Sequence, residues 1–166
     1  EYNNEKIEEF LKLYNIPYEK FEHDQLLKKT VELILKQKVV GWYQGRMEWG
    51  PRALGNRSIL GDPRSEKMKD ILNEKIKHRE KFRPFAPSIL EEYTSEYFDI
   101  DISSPYMLLV AKVKKPEVIP AITHIDGTGR LQTVSKKSNP LYYNLINEFF
   151  NQTGVPVLIN TSMNVR

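Results

Sequence analysis

The segment between Val39 and Leu60 constrains the fold more than any other part of this chain. A run rich in β-branched and aromatic residues, Val39-Val40-Gly41-Trp42-Tyr43, reads as a strand. It is followed by residues 45–57, where Gly45, Gly50, Pro51 and Gly55 interrupt Arg46, Arg52 and Arg57. Glycine and proline at that spacing break both the helical and the strand period, so these arginines cannot share one face of a regular element. The segment must be an irregular loop leaving a strand, with a short apolar strand, Ser58–Leu60, at its far end. A guanidinium offers a planar fork of donors to paired oxygens, and cations on irregular backbone beside glycines suit a small molecule bearing phosphate or carboxylate. The competing reading is a plain surface loop with its arginines paired to Glu48 and Asp62.

The rest of the chain alternates helices with strands. Ile7, Phe10, Leu11 and Tyr14 recur at helical spacing over residues 4–15, with Asn3 or Asn4 as cap and Pro17 as stop. Asp24 is expected to cap a helix running to about Lys38, with Leu27, Val31, Ile34 and Leu35 inward. After the turn Gly61-Asp62-Pro63, Ser65 opens a helix over 66–76 with Met68, Ile71, Leu72 and Ile76 on its buried side. Ala86–Leu90 and Met107–Val113 read as strands, Glu91–Phe98 as a short helix or turn, Thr123–Gly129 as turn-rich, and Arg130–Val134 as an alternating strand. Asn139 caps a helix with Tyr142, Leu145, Ile146, Phe149 and Phe150 inward, Gly154 stops it, and Val155–Ile159 is a buried strand. The class is α/β, a twisted and mixed sheet flanked by helices. In such sheets ligands collect at strand ends, where the loop 45–57 and the motif Asn160-Thr161-Ser162-Met163-Asn164 both fall.

Charge distribution narrows the ligand. Net charge is only +3, yet residues 46–87 hold eleven Lys/Arg against six Asp/Glu, so the remainder is slightly acidic. A local positive patch on a near-neutral body suits a small anion better than a nucleic-acid duplex. Lys77-His78-Arg79, followed by Lys81 and Arg83, forms a second basic cluster. On an extended segment Lys77 and Arg79 would point the same way and could neutralise a polyphosphate together; as a solvated helix end they would do nothing. Phe82 and Phe85 are expected to anchor this stretch in the core. Ser162 and Asn164 could bond a phosphate or an amide, or merely close a turn, and Arg130 is equally open between ion pair and ligand contact. The three histidines show no metal-ligand spacing, and His124 reads as a hydrogen-bonded turn residue. No P-loop, GxGxxG or Ser–His–Asp order is present. Cysteine is absent, which excludes disulfides and Cys-based metal sites within this sequence. No apolar run approaches the ~18 residues of a membrane helix, and the polar, acidic start together with the absent cysteine fits a cytoplasmic setting. The missing initiator Met and the end at Arg166, just after a strand and a polar motif, are expected of a piece of a longer protein.

The blocks VVGWYQGRMEWGPRALGNRSILGDPR, KIKHREKFRPFAPSIL, SPYMLLVAKV, PAITHIDGTGRLQTV and TGVPVLINTSMNVR, in this order, resemble the C-terminal, YrdC-like domain of the NodU/CmcH/TobZ family of O-carbamoyltransferases. They run from about Val39 to Arg166; the helices before Val39 match only loosely. The resemblance implies one YrdC-like domain over 1–166, with a twisted mixed sheet and flanking helices. It implies that carbamoyl phosphate and ATP, with Mg²⁺, give carbamoyl-adenylate, and that an N-terminal Kae1-like domain of the same chain moves the carbamoyl group to a hydroxyl acceptor. An iron-type metal is expected in that N-terminal domain and none in this one. The family's Lys-x-Arg and Ser-x-Asn pairs fall on Lys77/Arg79 and Ser162/Asn164. Arg130 lies in a family block and joins Lys77 and Arg79 as a catalytic candidate. Arg52, Arg57, Arg83 and Asn160 are expected substrate contacts. Met163 stands where an aromatic residue is usual, and its side chain is expected to point away from the ligand. The alternative class is a YrdC-like module that binds a nucleotide or RNA without chemistry, with an affinity falling steeply with salt.

Overall fold

The computed structural model describes residues 2–164; Val165 and Arg166, the last residues of the blocks quoted above, lie outside them. Helix α1 (Asn4–Leu13) starts at Asn3, whose side chain accepts a hydrogen bond from Lys6 N at 3.0 Å. The apolar stripe of α1 does not enter the core. No residue of the helix is buried, and the rings of Phe10 and Tyr14 pack on each other at 4.7 Å while both stay more than half exposed. Helix α2 (His23–Leu35) begins one residue before the expected cap, so Asp24 sits in its first turn, where a carboxylate suits the helix dipole; Glu22 occupies the cap position without a side-chain bond. Leu27, Val31 and Ile34 are buried as their spacing requires.

Strands β1 (Val40–Tyr43) and β2 (Arg57–Gly61) pair antiparallel around the loop, with Trp42 buried. Helix α3 (Glu66–Ile71) continues into a π-helical turn over Leu72–Ile76. Strand β3 (Ala86–Leu90) is buried along its whole length and leads into helix α4 (Thr94–Tyr97) by way of a 3₁₀ turn. Of the apolar run Met107–Val113, only Val110–Lys112 forms a strand, β4. Leu108 and Val110 are exposed, because β4 pairs with β5 (Thr128–Arg130) alone, in a separate two-stranded sheet. The expected strand Arg130–Val134 is therefore two. The chain turns a corner at the buried Leu131, and β6 (Gln132–Val134) joins the main sheet. Helix α5 (Pro140–Thr153) is capped by Asn139, whose side chain accepts from Tyr142 N, and ends at Gly154 in the left-handed conformation. Strand β7 (Val157–Ser162) closes the fold.

The main sheet has the order β1-β2-β7-β3-β6, antiparallel except for the parallel β3–β6 pair. It is the expected mixed sheet with flanking helices. Helices α2 and α5 pack on each other and on the sheet, and one apolar core joins Val31 and Ile34 of α2, Leu145 and Phe149 of α5, and Val157–Ile159 of β7. No helix among the described residues is long and apolar enough to cross a membrane.

The loop between β1 and β2 touches this core through one glycine. Gly55 has φ +102°, and a Cβ there would lie 2.2 Å from a ring carbon of Tyr142, which is fully buried and cannot retreat. Gly55→Ala combines backbone strain with a clash, and we expect a loss of at least about 3 kcal/mol of stability, measured by urea denaturation.

Candidate functional site

Strand register sets the site's position. Ala86 pairs with Asn160 and Ser58 with Ser162, so the end of β7 lies beside the starts of β2 and β3. Loop residues 51–53, the return segment 77–85, Met107 and Arg130 close around that point. The result is a small cavity of about 130 Å³, walled by Arg52, Arg79, Arg130, Met107 and Asn160 among others, and an open groove of about 430 Å³ lined by Lys77, His78, Arg79, Glu80, Arg83, Ser162 and Asn164. The two share Arg79, Thr161 and Ser162.

The cations are held in place by neutral groups. Lys77, only 9% exposed, caps the π-helical turn. Its ammonium donates to the Ser162 carbonyl, to Asn164 Oδ1 at 3.0 Å and to the Asn164 carbonyl at 3.3 Å, with Ser162 Oγ at 3.4 Å. The Ser162 hydroxyl in turn donates to Asn164 Oδ1. Arg79 Nε donates to Asn73 Oδ1 at 2.7 Å, and its guanidinium lies 4.7 Å above the ring of Phe85. The buried Asn73 also donates to the carbonyls of Lys81 (3.1 Å) and Arg83 (2.9 Å), which fixes the return segment. Among the described residues Lys77, Arg52, Arg79 and Arg130 form no ion pair, and Arg130 Nε is buried without a partner. Elsewhere cations meet carboxylates: Arg64 with Asp62, Lys81 with Glu74, Lys12 with Glu8. Burial, and then the neighbouring like charge, pushes the pKa values of both Lys77 (beside Arg79) and Arg130 (beside Arg52) down.

A buried polar cluster pins the arginine loop to the sheet. Asn160 Nδ2 donates to Ala53 O, Ser88 Oγ and Gln132 Oε1, each at 3.0 Å; Gln132 Nε2 donates to Leu54 O at 2.9 Å. From the other side, Glu48 Oε1 accepts the backbone N–H groups of Leu54 (2.7 Å), Asn56 (2.8 Å) and Arg57 (3.2 Å). Glu48 thus organises the loop backbone, and Asp62 binds Arg64 and Gln37.

Comparison with known proteins agrees with this architecture. Residues 31–166 match the model of the family described as Carbamoyltransferase C-terminus. This chain belongs to that family. Nodulation protein NolO of Bradyrhizobium diazoefficiens is 50% identical over 146 residues, covering 85% of this chain and 27% of that protein. The 3'-hydroxymethylcephem-O-carbamoyltransferase of Amycolatopsis lactamdurans is 44% identical over 143 residues, covering 86% of this chain and 26% of that enzyme. The chain spans between 22% and 33% of the length of the curated relatives it matches. A crystal structure of full-length HypF in the phosphate- and nucleotide-bound form superposes with a TM-score of 0.58 at 18% identity, over 89% of this chain and 18% of that one. At that identity the likeness bears on fold alone, and it bears out the expected YrdC-like α/β fold.

In this carbamoyltransferase domain, Lys77, Arg79, Arg130, Ser162, Asn164, Arg52, Arg83 and Asn160 all line the cleft. Arg57 does not. It lies on β2, and the strand carries it away from both parts of the cleft. Lys77 and Arg79 share a wall for a reason other than strand alternation: His78 between them has φ +46°, so a tight turn brings them together. Asn160 reaches the cavity with its amide nitrogen already committed to Ala53, Ser88 and Gln132. Arg83 is a rim residue paired with Glu80 at 2.7 Å. Phe85 is a buried anchor, whereas Phe82 is 65% exposed. Met163 Cε comes within 3.5 Å of where a Cβ on Gly41 would stand, so its side chain turns over β1, away from the cleft. His124 is held in its turn by Thr128, with Nδ1 3.3 Å from the hydroxyl. Glu48 and Asn73 were not singled out in the sequence as organisers; a lone acid inside a glycine-rich loop was the available sign for Glu48, and nothing marked Asn73.

The lowered pKa of Lys77 has a sign that can be tested. The group gives up its proton below the ordinary lysine value of 10.5, so anion affinity must fall as pH rises through the depressed value, before free lysine would titrate. We expect the affinity for inorganic pyrophosphate, measured calorimetrically between about pH 7 and 10.5, to decline with a midpoint below that of free lysine. In Lys77→Met the affinity should be low throughout and this step absent.

Proposed function

We propose that this chain is the carbamoyl-adenylate-forming domain of an O-carbamoyltransferase, acting on carbamoyl phosphate and ATP. The observation that carries the reading is the pair Arg52 and Arg130, set without a carboxylate in a small cavity beside the Lys77/Arg79 groove. Like charges so placed are stabilised by an incoming anion. The cavity suits the carbamoyl end and the groove suits the phosphates of ATP.

In this reading water cleaves the P–O bond of carbamoyl phosphate, releasing inorganic phosphate and carbamate. A carbamate oxygen then attacks the α-phosphorus of ATP. The new O–P bond forms as the bond to the β-phosphate oxygen breaks, and pyrophosphate leaves with the negative charge. Two anions must approach each other in this step, so the chain's work is to neutralise and align them. Arg52 and Arg130 hold the carbamate, Lys77 and Arg79 take the developing charge on pyrophosphate, and Arg83 contacts the phosphates from the rim. Ser162 and Asn164 orient the groups that they reach from the end of β7.

Among the described residues no three His, Cys, Asp or Glu side chains cluster as for a metal ion, and Glu80, paired with Arg83, is the carboxylate among the groove's lining residues. Mg²⁺ here would ride on the ATP phosphates and supply further charge neutralisation. Transfer to the hydroxyl acceptor is assigned to an N-terminal Kae1-like domain of a longer chain, which would hold its own iron-type metal; the relatives' greater length supports this division.

Carbamoyl-phosphate-dependent ATP–pyrophosphate exchange by the full-length protein tests the proposal. Lys77→Ala should lower exchange by about 10²-fold or more, and Arg57→Ala, outside the cleft, should stay near wild type. Absence of exchange in the wild type, or undiminished exchange in Lys77→Ala, would sink it.

A further inference from the structure

One wall of the small cavity has no part in the chemistry above. Met107 lines it with φ +56°, a left-handed conformation that a long L side chain adopts rarely and at a cost. Its neighbours Tyr106 and Leu108 are 65% and 70% exposed, while Met107 itself is 3% exposed. The backbone is thus bent so that one residue of a solvent-facing segment turns inward, against the cavity. The arginines of the same cavity, Arg52 and Arg130, are suited to an anion, and Met107 brings an apolar side chain to it. The other apolar lining residues are the small Ala53 and Ala86, Pro51 and Pro84, and Phe85, whose ring is held under the Arg79 guanidinium, so Met107 is the long flexible side chain among them. That volume, about 130 Å³, is close to the ~150 Å³ of an engineered cavity that admits benzene. It suits a carboxylate of few heavy atoms, about the six of benzene at most, and leaves no room for a chain longer than that.

We infer that Met107 is the size-limiting wall of this cavity and sets its specificity for an acyl group of carbamoyl size against groups carrying a longer carbon chain. The inference rests on the carbamoyl-adenylate reading. Strain at this position is tolerated because it delivers the side chain to the substrate. Thioether flexibility lets the wall close on a small group, but the burial of Met107 prevents it from swinging out to admit a large one.

The experiment compares ATP–pyrophosphate exchange by the full-length protein with carbamoyl phosphate and with hexanoyl phosphate. Wild type should exchange with the first and not measurably with the second. Met107→Ala should raise the hexanoyl to carbamoyl ratio at least tenfold. Met107→Phe, which fills the cavity, should raise KM for carbamoyl phosphate at least tenfold and leave KM for ATP within twofold. A ratio unchanged within twofold in Met107→Ala overturns the inference, as does a KM for ATP that rises in step in Met107→Phe. So does unfolding of both variants at a temperature where the wild type is folded, since Met107 would then be a packing residue. Failure of the wild type to exchange with carbamoyl phosphate removes the underlying reading and this inference with it. Normal wild-type exchange with an unchanged ratio removes the inference alone.

Discussion

Mutual repulsion among the cleft cations is the constraint that the rest of this fold answers. Arg52, Arg79 and Arg130 line one small cavity, Lys77 lines the groove that adjoins it, and Arg130 is half-buried beside another guanidinium. In water such charges would drift apart and be screened; at the effective dielectric of a protein cleft each close pair opposes folding appreciably. A stable chain could remove the problem with carboxylates, as this one does at Asp62 and Glu74. In the cleft it does so at the rim, where Glu80 pairs with Arg83, but among the described residues not at Lys77, Arg52, Arg79 or Arg130. The carbonyl and amide oxygens around Lys77, and the amide and ring around Arg79, fix direction without cancelling charge. Positive potential is preserved at the cost of stability, which is the usual balance at a ligand site.

Two local devices make that arrangement rigid. The first is the buried cluster of Ser88, Gln132 and Asn160, contributed by β3, β6 and β7, which holds the carbonyls of Ala53 and Leu54. It carries Arg52 to the sheet by neutral hydrogen bonds alone, and Glu48 collects the loop's amides from outside. The second is the π-helical turn Leu72–Ile76, closed by Lys77 N bonding Leu72 O at 2.9 Å. The extra residue in that turn shifts the helix end relative to an α-helical exit, and π-turns of this kind gather at functional sites. Asn73 inside it is fully buried and bonds three groups of the return segment. An aspartate there would lose both donors and would pair with Arg79, so the neutral amide matters for charge as well as shape.

Much of this was legible in the residues, and the exceptions have physical causes. Helix α5 announced itself by Asn139, its apolar period and Gly154, because caps and periodicity are local. The cationic loop was legible because glycine and proline exclude regular structure there. Arg57 lies on β2 and not among the cleft's lining residues, because composition shows which residues share a loop and not which of them the following strand carries off. Lys77 and Arg79 were paired for the wrong reason, since a left-handed histidine between two cations leaves no mark in sequence. The run Met107–Val113 looked like one buried strand. Hydrophobicity cannot reveal that its partner, β5, stands outside the main sheet, so that Val110 faces solvent and only Met107 turns to the cleft. Helix α1 shows the same limit from the other side: its period predicts the helix correctly, yet Ile7, Phe10 and Tyr14 of its apolar stripe stay exposed and only Leu11 is half-buried.

Lys77 shows how folding prepares this cleft for an anion. Burying an ammonium is costly unless its donors are satisfied. Here the oxygens of Ser162 and Asn164 satisfy them before any ligand arrives. An anion entering the groove would therefore meet a cation already stripped of most of its water, and binding would not have to desolvate it again. The exchange offered is a charged acceptor for neutral ones, which favours the ligand more strongly the more negative it is. Charge that develops during a reaction gains most from such a group, because the donor is already oriented and no solvent needs to reorganise around it. The same preparation makes the cleft sensitive to small changes. A shift of β7's last residues would move Ser162 and Asn164 together and so release the ammonium that they hold.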